Sequence, residues 1–146
     1  MSGKSNEEFL GALYKNLKMG SDSIVHLMSK VRGDALREDL TAELNRYEAL
    51  AKEIGELIYD EGEEPKEENI VTRLSAKMGM SFSTMIDPSD SHIAQMMIEG
   101  ATMGVTENTK LLREYENKDC SQKAINLAKQ SIKFMEDTIE RMKNYL

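Results

Sequence analysis

The feature that most constrains the fold of this chain is an apolar seam near its start. Its members are separated alternately by three and four positions: Leu10, Leu13, Leu17, Gly20, Ile24, Leu27 and Val31. This spacing places them on one face of an α-helix, and such a face is normally buried by packing against other helices. The seam therefore predicts a helix over 6–32 and an all-α fold.

Similar apolar patterns predict more helices in the remainder of the chain. The turn at Gly33 is so short that the first two helices must form an antiparallel hairpin. The third predicted helix is shorter and lies between Pro65 and Pro88, because the residue before a proline avoids the helical conformation. The further helices are predicted over 35–59, 66–85, 89–117 and 120–145, and the whole chain, 1–146, is predicted to form one domain.

The connection between the two long hairpins, residues 60–89, decides the predicted topology. It is long enough to run the length of the bundle and to make the second and fourth predicted helices parallel. One long crossover between two antiparallel hairpins is the connectivity of ferritin-like proteins. The predicted fold class is therefore a ferritin-like four-helix bundle of two antiparallel helical hairpins, joined by a long crossover that contains a shorter fifth helix.

The net charge and the single cysteine indicate which partners and which cellular compartment to expect. Its formal net charge is −7 and it has no basic cluster, which argues against a nucleic-acid partner and against docking on anionic membranes. No apolar run approaches the roughly 18 residues of a membrane span. A single cysteine, Cys120, excludes an intrachain disulfide. We therefore expect a reducing, cytoplasmic setting.

Three short stretches carry a resemblance to a known group of proteins. The phrase SHIAQMMIEGATMG over residues 91–104 is the most specific of them, and the linker GEEP at 62–65 and the closing ERMKNYL at 140–146 accompany it. These stretches resemble segments of small bacterial proteins with ferritin-like four-helix bundles, a domain family of unknown function. The resemblance implies a fold, and it implies no established activity.

The chain does not contain the residue pattern of the usual ferritin-like metal site. That site takes a glutamate from each of two helices and a Glu-x-x-His motif from each of the other two. The residue three positions before His26 is Ser23, and the residue three positions before His92 is Ser89. Neither histidine can complete the motif, so we expect no metal and no other cofactor.

Two glutamates are weak candidates for a different carboxylate site for iron or manganese. Glu43 falls on the apolar seam of the second predicted helix, where an unpaired charge would be costly. Glu107 lies on the fourth predicted helix, where it or the neighbouring Asn108 could face Glu43. The alternative for Glu43 is a structural carboxylate that binds a tyrosine or an arginine, or one that tilts towards solvent.

Glycine and methionine suggest a different kind of site. Gly20, Gly100 and Gly104 are predicted to allow close helix packing, with a cavity at their level as the alternative. The chain has 11 methionines, which suit core filling, an adaptable apolar surface or, less specifically, copper(I). Met78, Met97 and Met103 are the candidates for lining a pocket between the third and fourth predicted helices. The pairs Met19-Gly20 and Met103-Gly104 also repeat in the two halves of the chain.

Three functions follow as hypotheses. The first is a non-enzymatic interaction or structural protein, working as a homo-oligomer or bound to another protein. The second is a carboxylate metal-binding protein with a redox or storage role that uses Glu43 and Glu107. The third is a binder of an apolar ligand in a methionine-lined pocket.

Overall fold

The computed structural model describes residues 3–65 and 87–146, and within these ranges the chain forms helices and no strands. The all-α prediction is confirmed for this part of the chain. The predicted helix over 66–85, with Met78, lies outside the described residues. The helices are α1 (Gly3–Met28), α2 (Asp34–Asp60), α3 (Asp90–Tyr115) and α4 (Gln122–Met142), and a 3-10 turn, Lys143–Tyr145, follows α4.

The helices form two antiparallel hairpins, α1 with α2 and α3 with α4, which pack side by side. Phe9, near the start of α1, stacks on Tyr115, at the end of α3, with ring centroids 5.4 Å apart. α1 and α3 are therefore antiparallel neighbours. Since α2 is also antiparallel to α1, α2 and α3 run in the same direction. The rings of Tyr47 (α2) and Phe134 (α4) pack edge to face with their centroids 4.8 Å apart, so α2 and α4 are also neighbours.

Two helical glycines, Gly20 and Gly104, lie where a bulky side chain from a neighbouring helix packs against the backbone. A Cβ added to Gly20 would lie under 3.0 Å from the ring of Tyr47, and one added to Gly104 would lie equally close to the sulfur of Met135. Each first helix of a hairpin thus has a notch that is filled by a side chain from its own partner helix. Gly100 differs, because a Cβ there would meet nothing within 4 Å.

Side chains tie the ends of the bundle together. Asn6 is 2% exposed; its side-chain oxygen accepts a hydrogen bond from the Ser121 backbone at 2.9 Å, and its amide nitrogen donates to Glu61. One residue therefore joins the start of α1, the end of α2 and the α3–α4 turn. At the opposite end, the hydroxyl of Tyr145 donates to the carboxylate of Asp39 and holds the C-terminal turn against α2.

Helix ends differ from their predicted positions by a few residues. α1 ends at Met28 rather than near residue 32, because the hydroxyl of Ser29 donates to the His26 carbonyl at 2.8 Å and Lys30 bonds back to Leu27 in a tight turn. Hydroxyl groups of this kind compete with the backbone for helix hydrogen bonds. α4 begins after Ser121, whose side chain accepts from the Ala124 backbone.

Alanine substitutions at three helical glycines are expected to change stability in opposite directions, depending on whether a neighbouring side chain packs against the glycine. Gly11→Ala and Gly100→Ala should each stabilise the protein by about 0.5–1 kcal/mol, because a Cβ meets nothing there and alanine favours the helix. Gly20→Ala should destabilise it by about 1–3 kcal/mol through overlap with the buried Tyr47 ring. Urea unfolding gives the free energy of unfolding of all three variants. If Gly20→Ala proved stabilising, the close packing of the Tyr47 ring against Gly20 would be contradicted.

Stability at alkaline pH should depend on the C-terminal turn. The hydrogen bond to Asp39, followed by burial, raises the pKa of Tyr145 from 10.0 to about 12. A group whose pKa is higher in the folded than in the unfolded protein stabilises the fold fully at pH values below its unfolded-state pKa. This contribution is lost as the pH rises through its folded-state pKa. The contribution of Tyr145 should therefore be present below pH 10 and decline between pH 10 and about 12. Tyr145→Phe should show a shallower decline in unfolding free energy over this interval, and equal slopes would contradict the assignment.

Candidate functional site

An apolar cleft between α1 and α3 is the main candidate site in the described part of the chain, and we call it the α1–α3 cleft. Its free volume is about 50 Å³. Gly20, Gly100 and Gly104 all line it. The Tyr47 and Met135 side chains fill the notches at Gly20 and Gly104, whereas the space beside Gly100 stays open. The cleft therefore exists because one glycine of the three has no side chain packed over it.

Methionine provides much of the wall of the α1–α3 cleft. Three helices contribute, and four of the five side chains are less than a tenth exposed, with Met103 half-buried. Methionine is unbranched and polarisable, so its side chain can shift to fit molecules of different shape. The methionines that line the cleft are Met19 of α1, Met96, Met97 and Met103 of α3, and Met135 of α4.

The polar residues of the cleft are concentrated at one end. Antiparallel packing places Asn16 of α1 close to Glu107 of α3 at that end, and Leu27 close to Met96 at the other. Ser23 lies between the two ends, but its hydroxyl already donates to the Met19 carbonyl at 2.7 Å. The cleft therefore has a polar end and an apolar end.

A buried chain of hydrogen bonds crosses the bundle behind the polar end. The side-chain nitrogen of Asn16 donates to the Asn108 oxygen at 2.8 Å, and the Asn108 nitrogen donates to the Ser131 hydroxyl at 3.0 Å. Ser131 in turn donates to the Ala128 carbonyl at 2.7 Å. Asn108 and Ser131 are fully buried, and each has its polar atoms paired, as buried polar groups require. This series of hydrogen bonds links α1, α3 and α4.

Glu43 forms a separate polar site between α2 and α4. It is 2% exposed, and one carboxylate oxygen accepts a hydrogen bond of 2.5 Å from the Thr138 hydroxyl. The other oxygen accepts from Arg141, whose Nε lies 2.8 Å away and whose terminal nitrogen forms an ion pair with it. The charge of Glu43 is thus balanced within the protein by a guanidinium group.

Tyr47 lies between this carboxylate and the cleft. Burial raises the pKa of the Tyr47 phenol well above its ordinary value, and the charge of Glu43 raises it further. The phenol therefore stays protonated throughout the neutral and moderately alkaline range. Its ring forms part of the cleft wall and contacts Phe134, which also carries the guanidinium of Arg46 at 5.0 Å from its ring centre.

The structure places the two candidate metal ligands at different levels. Glu107 lines the polar end of the α1–α3 cleft, and Glu43 faces Thr138 of α4. Since Asn108 pairs with Ser131, Glu107 lies roughly six residues, or roughly 9 Å, along the axis from the Thr138 level. Within residues 3–65 and 87–146, no group of three or more histidine, cysteine, aspartate or glutamate residues is arranged to hold a metal ion.

Sequence reasoning named some cleft residues and missed others. Met97, Met103 and the three glycines line the α1–α3 cleft, and Met78 lies outside the described residues. Asn16, Met135 and Tyr47 had no distinguishing sequence signal, because each reaches the cleft only through packing between helices. The repeated Met-Gly pairs could have pointed to the cleft, since both pairs line it.

Comparisons with protein-family models, curated proteins and solved structures find no match to this chain. Among the described helices, none combines the length and apolar character that crossing a membrane requires.

Removing the partner of Glu43 should be costly. Arg141→Ala is expected to destabilise the protein by about 3 kcal/mol, at the low end for a broken buried pair because the Arg141 side chain is 39% exposed. The double variant Glu43→Leu/Arg141→Met should recover most of this loss, since no buried charge remains. Urea unfolding measures both free energies.

Arg46→Ala serves as the matched arginine control, because it removes a contact with the Phe134 ring and leaves the Glu43–Arg141 ion pair in place. We expect it to cost less than about 1 kcal/mol. Equal losses for the two arginine variants would contradict the view that Arg141 compensates a buried charge.

Proposed function

We propose that this protein is a non-enzymatic helical bundle that binds an apolar molecule in the α1–α3 cleft. The observation that carries the proposal is the open, methionine-lined space beside Gly100. Small-molecule sites are typically concave and mostly apolar, with a few placed polar groups. The cleft has this character, with Asn16 and Glu107 as the polar groups at one end.

The size of the cleft indicates the kind of molecule. A free volume of about 50 Å³ admits a small apolar group without any rearrangement. Met97 and Met103 border the space and can move to admit a larger one. The proposal therefore favours a compact or slender apolar ligand over a bulky, rigid one.

Commitment of the polar groups to structural contacts supports a non-enzymatic role. Glu43 is held by Thr138 and Arg141, and Tyr47 is kept protonated by burial and by the nearby carboxylate. A general acid or base needs a group that exchanges protons near working pH. Glu43 is already engaged by Thr138 and Arg141, and the raised pKa of Tyr47 keeps its phenol protonated at neutral pH.

The architecture we propose for the whole chain is ferritin-like. The parallel course of α2 and α3 supports it, because a crossover of bundle length is needed to connect them. Binding of the apolar molecule would then use the interior of a bundle fold, between facing helices, as such proteins commonly do. Association with a second copy or with another protein stays a prediction.

Toluene tests the proposed cleft directly. With ¹³C-methyl-labelled methionine, nuclear magnetic resonance should show toluene-dependent shifts for Met97 and Met103, while Met142, buried outside the cleft, should not shift. Gly100→Leu should fill the open space and weaken toluene binding at least tenfold, because its side chain occupies the same volume.

Gly11→Leu is the matched control, since Gly11 is also a helical glycine with nothing within 4 Å of a Cβ and does not line the α1–α3 cleft. It should bind toluene like the unmodified protein. Absence of any shift at Met97 and Met103 would overturn the proposed function. Equal binding by the Gly100 and Gly11 variants would overturn the location.

A further inference from the structure

We propose that Met103 is an oxidation site, at which conversion of its thioether to the sulfoxide by a peroxide lowers the affinity of the α1–α3 cleft for an apolar molecule. This regulation rests on the proposed function, because it acts on the same cleft. Three properties of the Met103 side chain carry it: exposure to solvent, a place beside Gly100, and membership of an apolar wall.

Exposure separates Met103 from the other methionines of the cleft. Among the methionines in residues 3–65 and 87–146, Met28 and Met103 are half-buried, and the others are less than a tenth exposed. Met28 lies at the end of α1 and does not line the α1–α3 cleft. A dissolved peroxide must touch the sulfur that it oxidises, so it reacts first with accessible side chains. Of the described methionines that line the cleft, Met103 is therefore the one open to oxidation.

The position of Met103 gives its oxidation an effect on the cleft. Residues three apart on a helix are neighbours on one face, so Met97 and Met103 flank Gly100 on α3. Both methionines line the α1–α3 cleft, and the space beside Gly100 is open. A molecule that fills this space would therefore lie against the Met103 side chain.

The proposed modification is a two-electron oxidation of the Met103 sulfur by hydrogen peroxide. The sulfur attacks one oxygen of the peroxide, an S–O bond forms, and the O–O bond breaks. The proton on the transferred oxygen passes to the departing hydroxide, which leaves as water. The sulfur loses two electrons and the peroxide gains them. The product is the polar sulfoxide, which methionine sulfoxide reductases return to methionine, so the modification is reversible.

A sulfoxide at Met103 makes the cleft less favourable for an apolar molecule. The sulfoxide oxygen accepts hydrogen bonds, and burial of such a group without a donor is unfavourable. Ser23 also lines the cleft, but its hydroxyl already donates to the Met19 carbonyl at 2.7 Å. An apolar molecule beside Gly100 would cover the sulfoxide and displace its water without supplying a hydrogen. Its affinity for the cleft therefore falls.

Protection by a bound molecule tests the position of Met103. Peptide mass spectrometry after treatment with hydrogen peroxide should find sulfoxide at both Met28 and Met103 in the protein without ligand. Toluene at a concentration well above its Kd should slow oxidation of Met103 about threefold or more, because the bound molecule covers the sulfur. The rate at Met28 should not change. Equal effects at the two methionines would overturn the placement of Met103 beside the bound molecule.

Toluene titrations before and after peroxide treatment, followed by the Met97 signal, test the effect on affinity. The oxidised protein should bind toluene about fivefold more weakly or less tightly still, because a polar group must be covered. Treatment with reductases for both sulfoxide epimers should restore binding. If toluene does not bind the untreated protein, the proposed function is wrong and the regulation falls with it. If untreated and Met103-oxidised protein bind toluene equally, only the regulation is overturned.

Leucine variants at the two half-buried methionines assign the effect to one residue. Met103→Leu keeps an apolar side chain and removes the oxidisable sulfur, so peroxide should no longer weaken toluene binding. Met28→Leu is the matched control, and its affinity should fall on oxidation as in the unmodified protein. A peroxide effect that persists in Met103→Leu would overturn the assignment to Met103.

Glutamine variants measure the effect of a polar side chain without any oxidant. Met103→Gln places a polar group of similar size at the cleft and should weaken toluene binding about fivefold or more. Met28→Gln makes the same change at a half-buried position outside the cleft and should bind toluene like the unmodified protein. Equal affinities of the two glutamine variants would contradict the role of Met103 polarity in regulating the cleft.

Discussion

Insertion of a bulky side chain into a glycine notch is the contact on which the bundle depends. Tyr47 occupies the notch at Gly20, and Met135 occupies the notch at Gly104, so each hairpin is locked by its own partner helix. Any side chain at either glycine would overlap with its neighbour. The notches explain why glycine, which weakens a helix by about 1 kcal/mol relative to alanine, stands in the middle of two long helices. One turn along α3, Gly100 has no such partner, and the α1–α3 cleft results.

Two buried polar groups complement the notches and lie at different levels of the bundle. Glu43, held by Arg141 and Thr138, joins α2 to α4. Asn108 joins α1 to α4 through Asn16 and Ser131. Each set tolerates only one register, because a slip by one helical turn would leave buried groups unpaired. The second set also includes Asn16, which lines the α1–α3 cleft, so a structural set of hydrogen bonds reaches the wall of the candidate site.

Much of the fold was predictable because helix periodicity is a local property. The seam of α1 faces the core as expected, with Leu10, Leu13 and Leu17 fully buried. The ends of the helices were less predictable, since Ser29 stops α1 by capturing a carbonyl that the pattern assigns to the helix. Of the candidate site, the glycines and Met97 and Met103 carried a sequence signal. Asn16 and Met135 carried none, because a polar or apolar residue at such a position is common in any bundle.

The sequence by itself determined that the described chain is helical and which face of each helix is buried, because both follow from spacing along one segment. For Glu43 it left three alternatives: a structural partner that is a tyrosine or an arginine, a tilt towards solvent, or a metal ion. Only the tertiary structure decided that Arg141 binds Glu43, that Thr138 is a second partner, and that the notches at Gly20 and Gly104 are filled while Gly100 is open. These features depend on the register between helices distant in sequence. That register is set by the packing of all of them together.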